Sequence, residues 1–334
     1  MHAEQRPTTR QRLEYEGLRL GGWILRWLPY SLVKAMARPL GLIAWAVDKR
    51  GRNTSRANLD AVFGDSLSEE KKSQIARKGY QNFARTMLEL FWSPNLTKEV
   101  LAKISSCEGL EQGFHHDKAQ PIIYVCLHAS NFEWLSQNIA SVGRPAIVVT
   151  QQLKNPLLGG IFDRLRASTG HDIIPQERAM IRMFRHLKNG GVFCMVVDLN
   201  LDPNESSVII EEFGGLKTCV TQMHVALALR TGALIVPAEC RVNPDGKYRM
   251  IYHKPVEYGP EATVEEITQR CWDALEPFVL QQPEYWLWSY KHWRFKPSSG
   301  DTARYPSYAN PAKRFDKLIA KQRLANAEKA VENR

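Results

Sequence analysis

The most informative run in this 334-residue sequence is Pro121-Ile-Ile-Tyr-Val-Cys-Leu127, continued directly by His128-Ala-Ser-Asn-Phe-Glu133. An apolar run of this length predicts a buried strand, because a strand covered on both faces carries apolar side chains at successive positions. The polar residues that follow predict a turn into a helix. We therefore expect a histidine where a buried strand ends and an acid at the start of the next helix.

Downstream of this run, short apolar stretches alternate with amphipathic ones. Strands are predicted at 146–149, 171–174, 192–197, 233–236 and 248–256, and helices at 157–168, 177–188, 221–230 and 263–281. Such alternation predicts an α/β domain with a mixed sheet flanked by helices. We assign it to residues 61–297, with a helical lead-in over 61–119 that includes a helix from Ser68 to Trp92.

The charge of the chain is concentrated at its two ends. Residues 1–60 hold 11 Lys and Arg against 5 Asp and Glu, residues 311–334 hold 7 against 3, and the rest carries 27 of each. A nucleic-acid groove needs basic residues on the folded body, so this distribution argues against a nucleic-acid partner. Basic ends around a neutral body are typical of proteins that contact a membrane surface.

Residues 1–60 form a basic, amphipathic segment. Its stretch 18–47 is rich in tryptophan and leucine but is interrupted by Arg26, Lys34 and Arg38 and by two prolines, Pro29 and Pro39. This pattern predicts two short amphipathic helices in a membrane interface, since the charge-free runs are too short to span a bilayer. The alternative is that both helices pack on the protein's own core. Because charged residues and prolines interrupt it, this stretch lacks the continuous apolar run of a signal peptide, and we do not expect one here.

At the other end, residues 298–334 are predicted to form a linker and a charged helical tail, a solvated appendage. Six cysteines are scattered along the chain without a Cys-x-x-Cys pair, which indicates neither a zinc site nor a disulfide framework. They are typical of buried thiols in a reducing compartment. We expect no metal and no bound cofactor.

The candidate chemistry lies in His128 and Glu133. If the histidine precedes the helix, Glu133 can fold back toward the imidazole, and a carboxylate on one ring nitrogen would leave the other free as a base. The sequence contains no Gly-x-Ser-x-Gly elbow, Walker loop or dinucleotide fingerprint. A base here would therefore activate a substrate hydroxyl. A purely structural histidine is the alternative.

These residues carry a family resemblance. His128 to Glu133 resembles the His-x-x-x-x-Asp/Glu box of the glycerolipid and lysophospholipid acyltransferases, and more specifically of bacterial lipid A biosynthesis (late) acyltransferases. Four further segments agree in order: 58–70, Asn155-Pro-Leu-Leu158 with its following helix, 231–237, and Pro283-Glu-Tyr-Trp-Leu-Trp288 with 291–296. The match covers about 20–296.

The resemblance implies an O-acyltransferase that moves a fatty acyl chain from an acyl carrier protein or coenzyme A thioester to a hydroxyl of an anionic membrane glycolipid. It implies that His128 is the base, Glu133 its orienting acid and Asp198 a second acid. Asn131 and Arg166 would contact substrate, Arg166 by holding an anion. It also implies work at the cytoplasmic face of the bacterial inner membrane.

The sequence departs from the family at Ser130, where glycine is common, at Phe132, where tryptophan is common, and at Leu199, where glutamine is common. These departures affect the acceptor more than the chemistry. A lipid A precursor is the expected acceptor. A mannosylated phosphoinositide, a glycerol phosphate or an amino-acid lipid are alternatives, as is a catalytically silent lipid-binding scaffold.

Overall fold

The computed structural model describes residues 7–151, 153–177, 179–205, 207–300 and 302–332, with side chains as far as residue 324. The outermost parts of the two predicted end segments, residues 1–6 and 333–334, lie outside the described residues.

Eleven α-helices are assigned in the described residues: α1 Thr9–Trp27, α2 Tyr30–Val47, α3 Lys49–Phe63, α4 Glu69–Trp92, α5 Lys98–Ile104, α6 Phe132–Ser141, α7 Pro156–Ala167, α8 Ala179–Lys188, α9 Met223–Thr231, α10 Val264–Gln281 and α11 Lys313–Glu332. The strands are β1 Ser105–Glu108, β2 Ile122–Cys126, β3 Ala146–Thr150, β4 Asp172–Pro175, β5 Val192–Val196, β6 Ser207–Glu212, β7 Leu216–Thr221, β8 Leu234–Val242, β9 Tyr248–Tyr252, β10 Phe295–Lys296 and β11 Asn310–Pro311.

Seven strands form the central sheet in the order β1-β9-β8-β2-β5-β3-β4. The pairings from β8 through β4 are parallel, whereas β9 pairs antiparallel with β8 and parallel with β1. The sheet is therefore mixed, and the predicted fold class is confirmed. Because β2 and β5 are neighbouring parallel strands, their carboxyl ends meet at one edge of the sheet.

The sheet is covered on both faces, as the apolar run at β2 requires. Ile123 and Val125 pack into a core shared with α8, α9 and α10. Ile122 and Tyr124, one residue out of phase, pack on the opposite face into a core shared with α1, α4, α6 and α7. Successive side chains of a strand point to opposite faces. Both faces of β2 are therefore buried, which is why its successive residues are all apolar.

The N-terminal helices pack on the body along one face and expose the other. In α2, Val33, Ala37 and Gly41 are buried against α4, and a Cβ on Gly41 would lie 2.3 Å from the Gln81 Cα. The outward faces of α1 and α2 leave large apolar side chains exposed: Leu20, Trp23, Ile24, Trp27, Leu32, Leu40, Ile43 and Val47. The chain breaks at Pro29 as expected, but Pro39 lies inside α2. Among the described residues, no helix has both the length and the apolar character needed to cross a bilayer.

Two parts of the fold differ from the sequence expectation. No strand is predicted between residues 197 and 233, whereas β6 and β7 form an antiparallel hairpin there. Its tip, Phe213-Gly214-Gly215, has positive φ at all three residues, a conformation that glycine adopts without a steric cost. The second difference is that β9 ends at Tyr252, four residues before the predicted strand end.

The predicted solvated tail begins as part of the body. Phe315, in the first turn of α11, is fully buried against Ile209 and Cys219 of the hairpin. The preceding segment is also attached, because Tyr305 is buried and its hydroxyl hydrogen-bonds the backbone of Lys217. In the sequence, the presence of Phe315 among the charged residues of the tail was the one indication that α11 packs on the body.

Candidate active site

Strand register brings His128 and Asp198 together. Cys126 of β2 is paired with Val196 of β5, and the two side chains lie two residues beyond these paired positions. Strands β2 and β5 end at the same edge of the sheet. The Val197 N–H donates to the Cys126 carbonyl at 3.0 Å, which extends the pairing of the two strands by one residue. The result is a hydrogen bond of 2.7 Å between His128 Nδ1 and Asp198 Oδ1.

Asp198 is a buried carboxylate with three donors. Besides the imidazole, its Oδ2 accepts from the His128 backbone N–H at 2.9 Å and from the Trp286 indole N–H at 2.8 Å. Burial by itself would raise the pKa of Asp198, but the charge and hydrogen bond of His128, with further contributions from His292 and the Trp286 hydrogen bond, lower the pKa to about 2. The carboxylate is therefore ionised at neutral pH and holds the proton of the histidine on Nδ1.

The His128 side chain is 20% exposed, whereas that of Asp198 is only 1% exposed. With Nδ1 committed to Asp198, Nε2 is the ring nitrogen available to an incoming group, and no described residue hydrogen-bonds it. Burial favours a lower pKa for His128, but Asp198 outweighs this and raises the pKa above its ordinary value. The edge of Phe132, 5.0 Å away between ring centroids, packs on the imidazole. The pair can act as a base and its orienting acid.

Glu133 does not take the position that the sequence predicts. Its carboxylate forms a two-pronged ion pair with Arg166 of α7, at 3.0 Å to Nε and 2.6 Å to Nη2, and the hydrogen-bonding partner of the His128 ring is Asp198 instead. The physical reason is position: Glu133 lies in the first turn of α6, within reach of Arg166 of α7, while Asp198 follows the adjacent strand at the level of the histidine. Glu133 still influences His128 electrostatically and favours its protonated form.

Arg166 is brought into the same site by this ion pair. Its side chain is 27% exposed, and its Nε and Nη2 hold the buried Glu133, while Nη1 bonds to no described residue. Burial would lower the pKa of Arg166, but Glu133 raises it above its ordinary value. Arg166 is thus a fixed cation close to His128.

Asn131, expected to contact substrate, is fully buried and already engaged. Its Oδ1 accepts from the Trp134 N–H at 2.9 Å and caps α6, and its Nδ2 donates to Glu89 at 2.6 Å. Its neighbour Ser130 has φ of 52°, in the left-handed region. That backbone explains why glycine suits this position, because a Cβ there is strained.

Sequence reasoning missed Glu89, a fully buried carboxylate of α4 beneath the site. It accepts hydrogen bonds from Tyr30 at 2.7 Å, Arg85 at 2.8 Å, Asn131 at 2.6 Å and Tyr248 at 2.5 Å. These donors belong to α2, α4, the start of α6 and β9. The sequence feature that could have predicted a buried acid here is its position among large apolar residues in Leu88-Glu-Leu-Phe-Trp92. Sequence reasoning also gave Trp286 no individual role.

With this geometry in view, comparison with known proteins is informative. The family model described as bacterial lipid A biosynthesis acyltransferase matches residues 10–295. The chain is 25% identical over 288 residues to a lipid A biosynthesis lauroyltransferase of Escherichia coli (strain K12), covering 85% of this chain and 92% of that protein. It is 24% identical over 283 residues to a phosphatidylinositol mannoside acyltransferase of Mycolicibacterium smegmatis, covering 81% and 89%.

Among solved structures, the chain is similar to the crystal structure of the 1-acyl-sn-glycerophosphate acyltransferase from Thermotoga maritima. The match covers 74% of this chain and 97% of the other, at a TM-score of 0.37 and 15% identity. The family model spans most of the sequence, from the first turn of α1 to β10. The chain therefore belongs to the bacterial lipid A biosynthesis acyltransferase family, and it is an acyltransferase.

Proposed function

We propose that the protein transfers a fatty acyl chain from a carrier thioester to a hydroxyl of an anionic membrane glycolipid, with a lipid A precursor as the acceptor. The observation that carries this proposal is the His128–Asp198 pair at the sheet edge, in which Nδ1 is bonded to Asp198 and the partly exposed imidazole keeps Nε2 without a hydrogen bond to any described residue. Family membership and the lauroyltransferase relative support the reaction class and the acceptor.

In the proposed reaction, His128 Nε2 takes the proton of the acceptor hydroxyl as its oxygen attacks the thioester carbonyl. Asp198 holds the imidazole in the productive tautomer and stabilises its positive charge. The tetrahedral oxyanion then collapses, the C–S bond breaks, and the leaving thiolate receives the proton from His128. Atoms and charge balance without a metal or a covalent enzyme intermediate.

The Glu133–Arg166 pair would serve the acceptor. Nε and Nη2 of Arg166 bind Glu133, and Nη1, which bonds to no described residue, would hold a phosphate of the glycolipid beside the histidine. The buried Glu133 fixes the guanidinium before substrate arrives, so less side-chain entropy is lost on binding. In this proposal Asn131 does not contact the substrate; it stabilises the start of α6, which carries Glu133.

We further propose that the protein works at the cytoplasmic face of the bacterial inner membrane. The support is the exposed apolar face of α1 and α2, which carries Trp23 and Trp27 beside Arg19 and Arg26. Amphipathic helices with tryptophan on one face and cations at its border bind the headgroup region of a bilayer. A lipid acceptor would then reach the site without leaving the membrane.

The decisive experiment supplies membranes containing wild-type protein or His128→Ala with acyl carrier protein thioesters and a tetra-acylated lipid A precursor. Mass spectrometry should detect a mass gain of one acyl chain with wild type and loss of at least about 100-fold in rate with the variant. His116→Ala is the matched control, because His116 is an exposed histidine in the loop before β2. A folded His128→Ala protein with full activity would contradict the proposed base.

Parallel reactions identify donor and acceptor. Acyl coenzyme A replaces the carrier protein thioester in one, and a mannosylated phosphoinositide replaces the lipid A precursor in another. The second arm is included because the chain is 24% identical to the mycobacterial phosphatidylinositol mannoside acyltransferase. A gain only with that acceptor would replace the lipid A precursor in this proposal. Activity with neither acceptor would favour a glycerol phosphate, an amino-acid lipid or a silent scaffold.

A further inference from the structure

The segment Tyr285-Trp286 contacts Asp198 and the turn that immediately follows His128. It follows α10 and belongs to the Pro283–Trp288 signature, for which sequence analysis gave no chemical role. The backbone of Trp286 forms an antiparallel bridge with Ala129, and the Tyr285 carbonyl accepts from the Ser130 N–H at 2.8 Å. These contacts hold the two residues that immediately follow His128.

The Trp286 side chain reaches the other member of the pair. Its indole N–H donates to Asp198 Oδ2 at 2.8 Å, on the oxygen that also accepts the His128 backbone N–H. The indole is 2% exposed, so water does not compete for this bond. A hydrogen bond from a neutral donor to a buried carboxylate is among the strong ones in a protein.

The indole is itself held in place on several sides. The ring of His292 stacks on it at 3.8 Å between centroids, and Phe213 and Trp288 pack on it at 5.4 Å and 4.8 Å. His292 is fixed in turn because its Nε2 donates to the Leu287 carbonyl at 3.0 Å. Burial lowers the pKa of His292 to about 4, so the stacked ring is neutral at physiological pH.

We propose that Trp286 is a positioning residue for acyl transfer: its indole N–H fixes Asp198, and its backbone fixes the turn after His128, so that one residue sets the geometry of the pair. This inference rests on the proposed function of His128 as the base. It gives the aromatic signature near the C-terminus a specific task, which is to hold the orienting acid against the neighbouring strand.

Loss of the indole donor would change the pH dependence of acyl transfer. The donor on Oδ2 draws negative charge away from the Oδ1 that faces the imidazole. Without this donor, the carboxylate attracts the protonated imidazole more strongly and the pKa of His128 rises. Since the base must be neutral to accept a proton, activity then appears at a higher pH. Other titratable groups also act on the pair electrostatically. Glu133 and Arg166 do so from α6 and α7, and the remaining groups lie at the ends of β2 and β6 and in the segment after α10: Cys126, Glu212, Tyr290 and His292.

Trp286→Phe tests this role, because it removes the N–H and keeps an aromatic ring for stacking. We expect kcat to fall about 10- to 100-fold with little change in KM, and the ascending limb of the kcat/KM–pH profile to move to higher pH. Trp272→Phe is the matched control. Trp272 is equally buried and also donates its indole N–H to a carboxylate, at 2.7 Å, but that carboxylate is Glu276.

A Trp286→Phe protein that folds and matches Trp272→Phe in kcat and in pH profile overturns the inference. The proposed function fails separately, through full activity of His128→Ala. If Trp286→Phe does not fold, nuclear magnetic resonance of wild type labelled with 15N-tryptophan decides. The Trp286 indole signal, assigned by its proximity to the His292 ring, should shift with the same midpoint as the His128 ring. A signal that stays constant through that titration overturns the inference.

Discussion

The Asp198 carboxylate accepts three hydrogen bonds, and each has a different consequence. The bond from the His128 ring selects the tautomer, the bond from the His128 backbone fixes the turn, and the bond from Trp286 fixes the carboxylate plane. Because the group is buried, these donors replace water and must all be satisfied. Asp198 is therefore the residue on which the geometry of the site depends most directly.

Asp198→Asn should lower the rate of acyl transfer by about 100- to 10,000-fold, since the amide provides neither the charge nor the tautomer control. The pKa of His128, raised by Asp198 in the wild type, should fall. A base with a lower pKa is neutral at lower pH, so the ascending limb of the residual activity should shift to lower pH. Steady-state rates across pH 5–8, measured by product mass, check both effects.

The control for this substitution is Asp172→Asn. Asp172 begins β4 at the opposite edge of the sheet, and its side chain is 59% exposed in a surface pair with Arg182. Its rate and pH profile should equal those of wild type. An Asp198→Asn protein that shares that unchanged profile would remove Asp198 from the proposed mechanism and return the role of orienting acid to Glu133.

At the scale of elements, α4 is the support beneath the site. Its Thr86 hydroxyl donates to the Ser130 carbonyl at 2.9 Å, and its Glu89 holds the Asn131 cap of α6. The same helix packs α2 through the close approach at Gly41. The turn after His128 is thus fixed from below by α4 and from the side by Tyr285-Trp286.

Glu89→Gln should destabilise the fold by about 3 kcal/mol, because it leaves Arg85 without its buried counter-charge and turns an acceptor into a donor facing other donors. Urea denaturation followed by circular dichroism measures this loss. Glu108→Gln is the control, since it breaks an exposed ion pair with Arg249 and should change the unfolding free energy little. Equal stability of the two variants would contradict the role given to Glu89.

At the scale of the whole molecule, packing of α1 and α2 on the core does not exclude the proposed contact of the same helices with a membrane. One face of each helix belongs to the core, with Leu25 and Val33 buried, and the other is exposed. Deleting both helices would therefore uncover the core as well as remove the proposed membrane contact. Point changes on the exposed face separate the two effects.

The double substitution Trp23→Glu and Trp27→Glu should weaken binding to anionic phospholipid vesicles by about 100-fold, because two apolar side chains no longer enter the interface. The two side chains are 62% and 73% exposed, so the melting temperature should change little. Co-sedimentation with vesicles measures binding. Leu324→Glu, at a leucine 65% exposed in α11, is the control. Wild-type binding by the double variant would contradict the proposed membrane contact.

The sequence by itself determined the strand within 121–127, the helix from Ser68, the helix over 263–281 and the mixed α/β class, because these follow from local periodicity and capping chemistry. It also placed His128 at a strand end. All of these depend on residues close together in the chain, where the spacing of apolar and capping residues identifies a helix or a strand.

Only the tertiary structure decided which acid meets the histidine. Glu133 is five residues away in sequence and Asp198 seventy, yet parallel register places Asp198 beside the ring and turns Glu133 toward Arg166. The partners of Glu89 and the burial of Phe315 have the same origin. Each is fixed by strand order and helix packing, and distances of that kind are set by the whole fold and not by spacing along the chain.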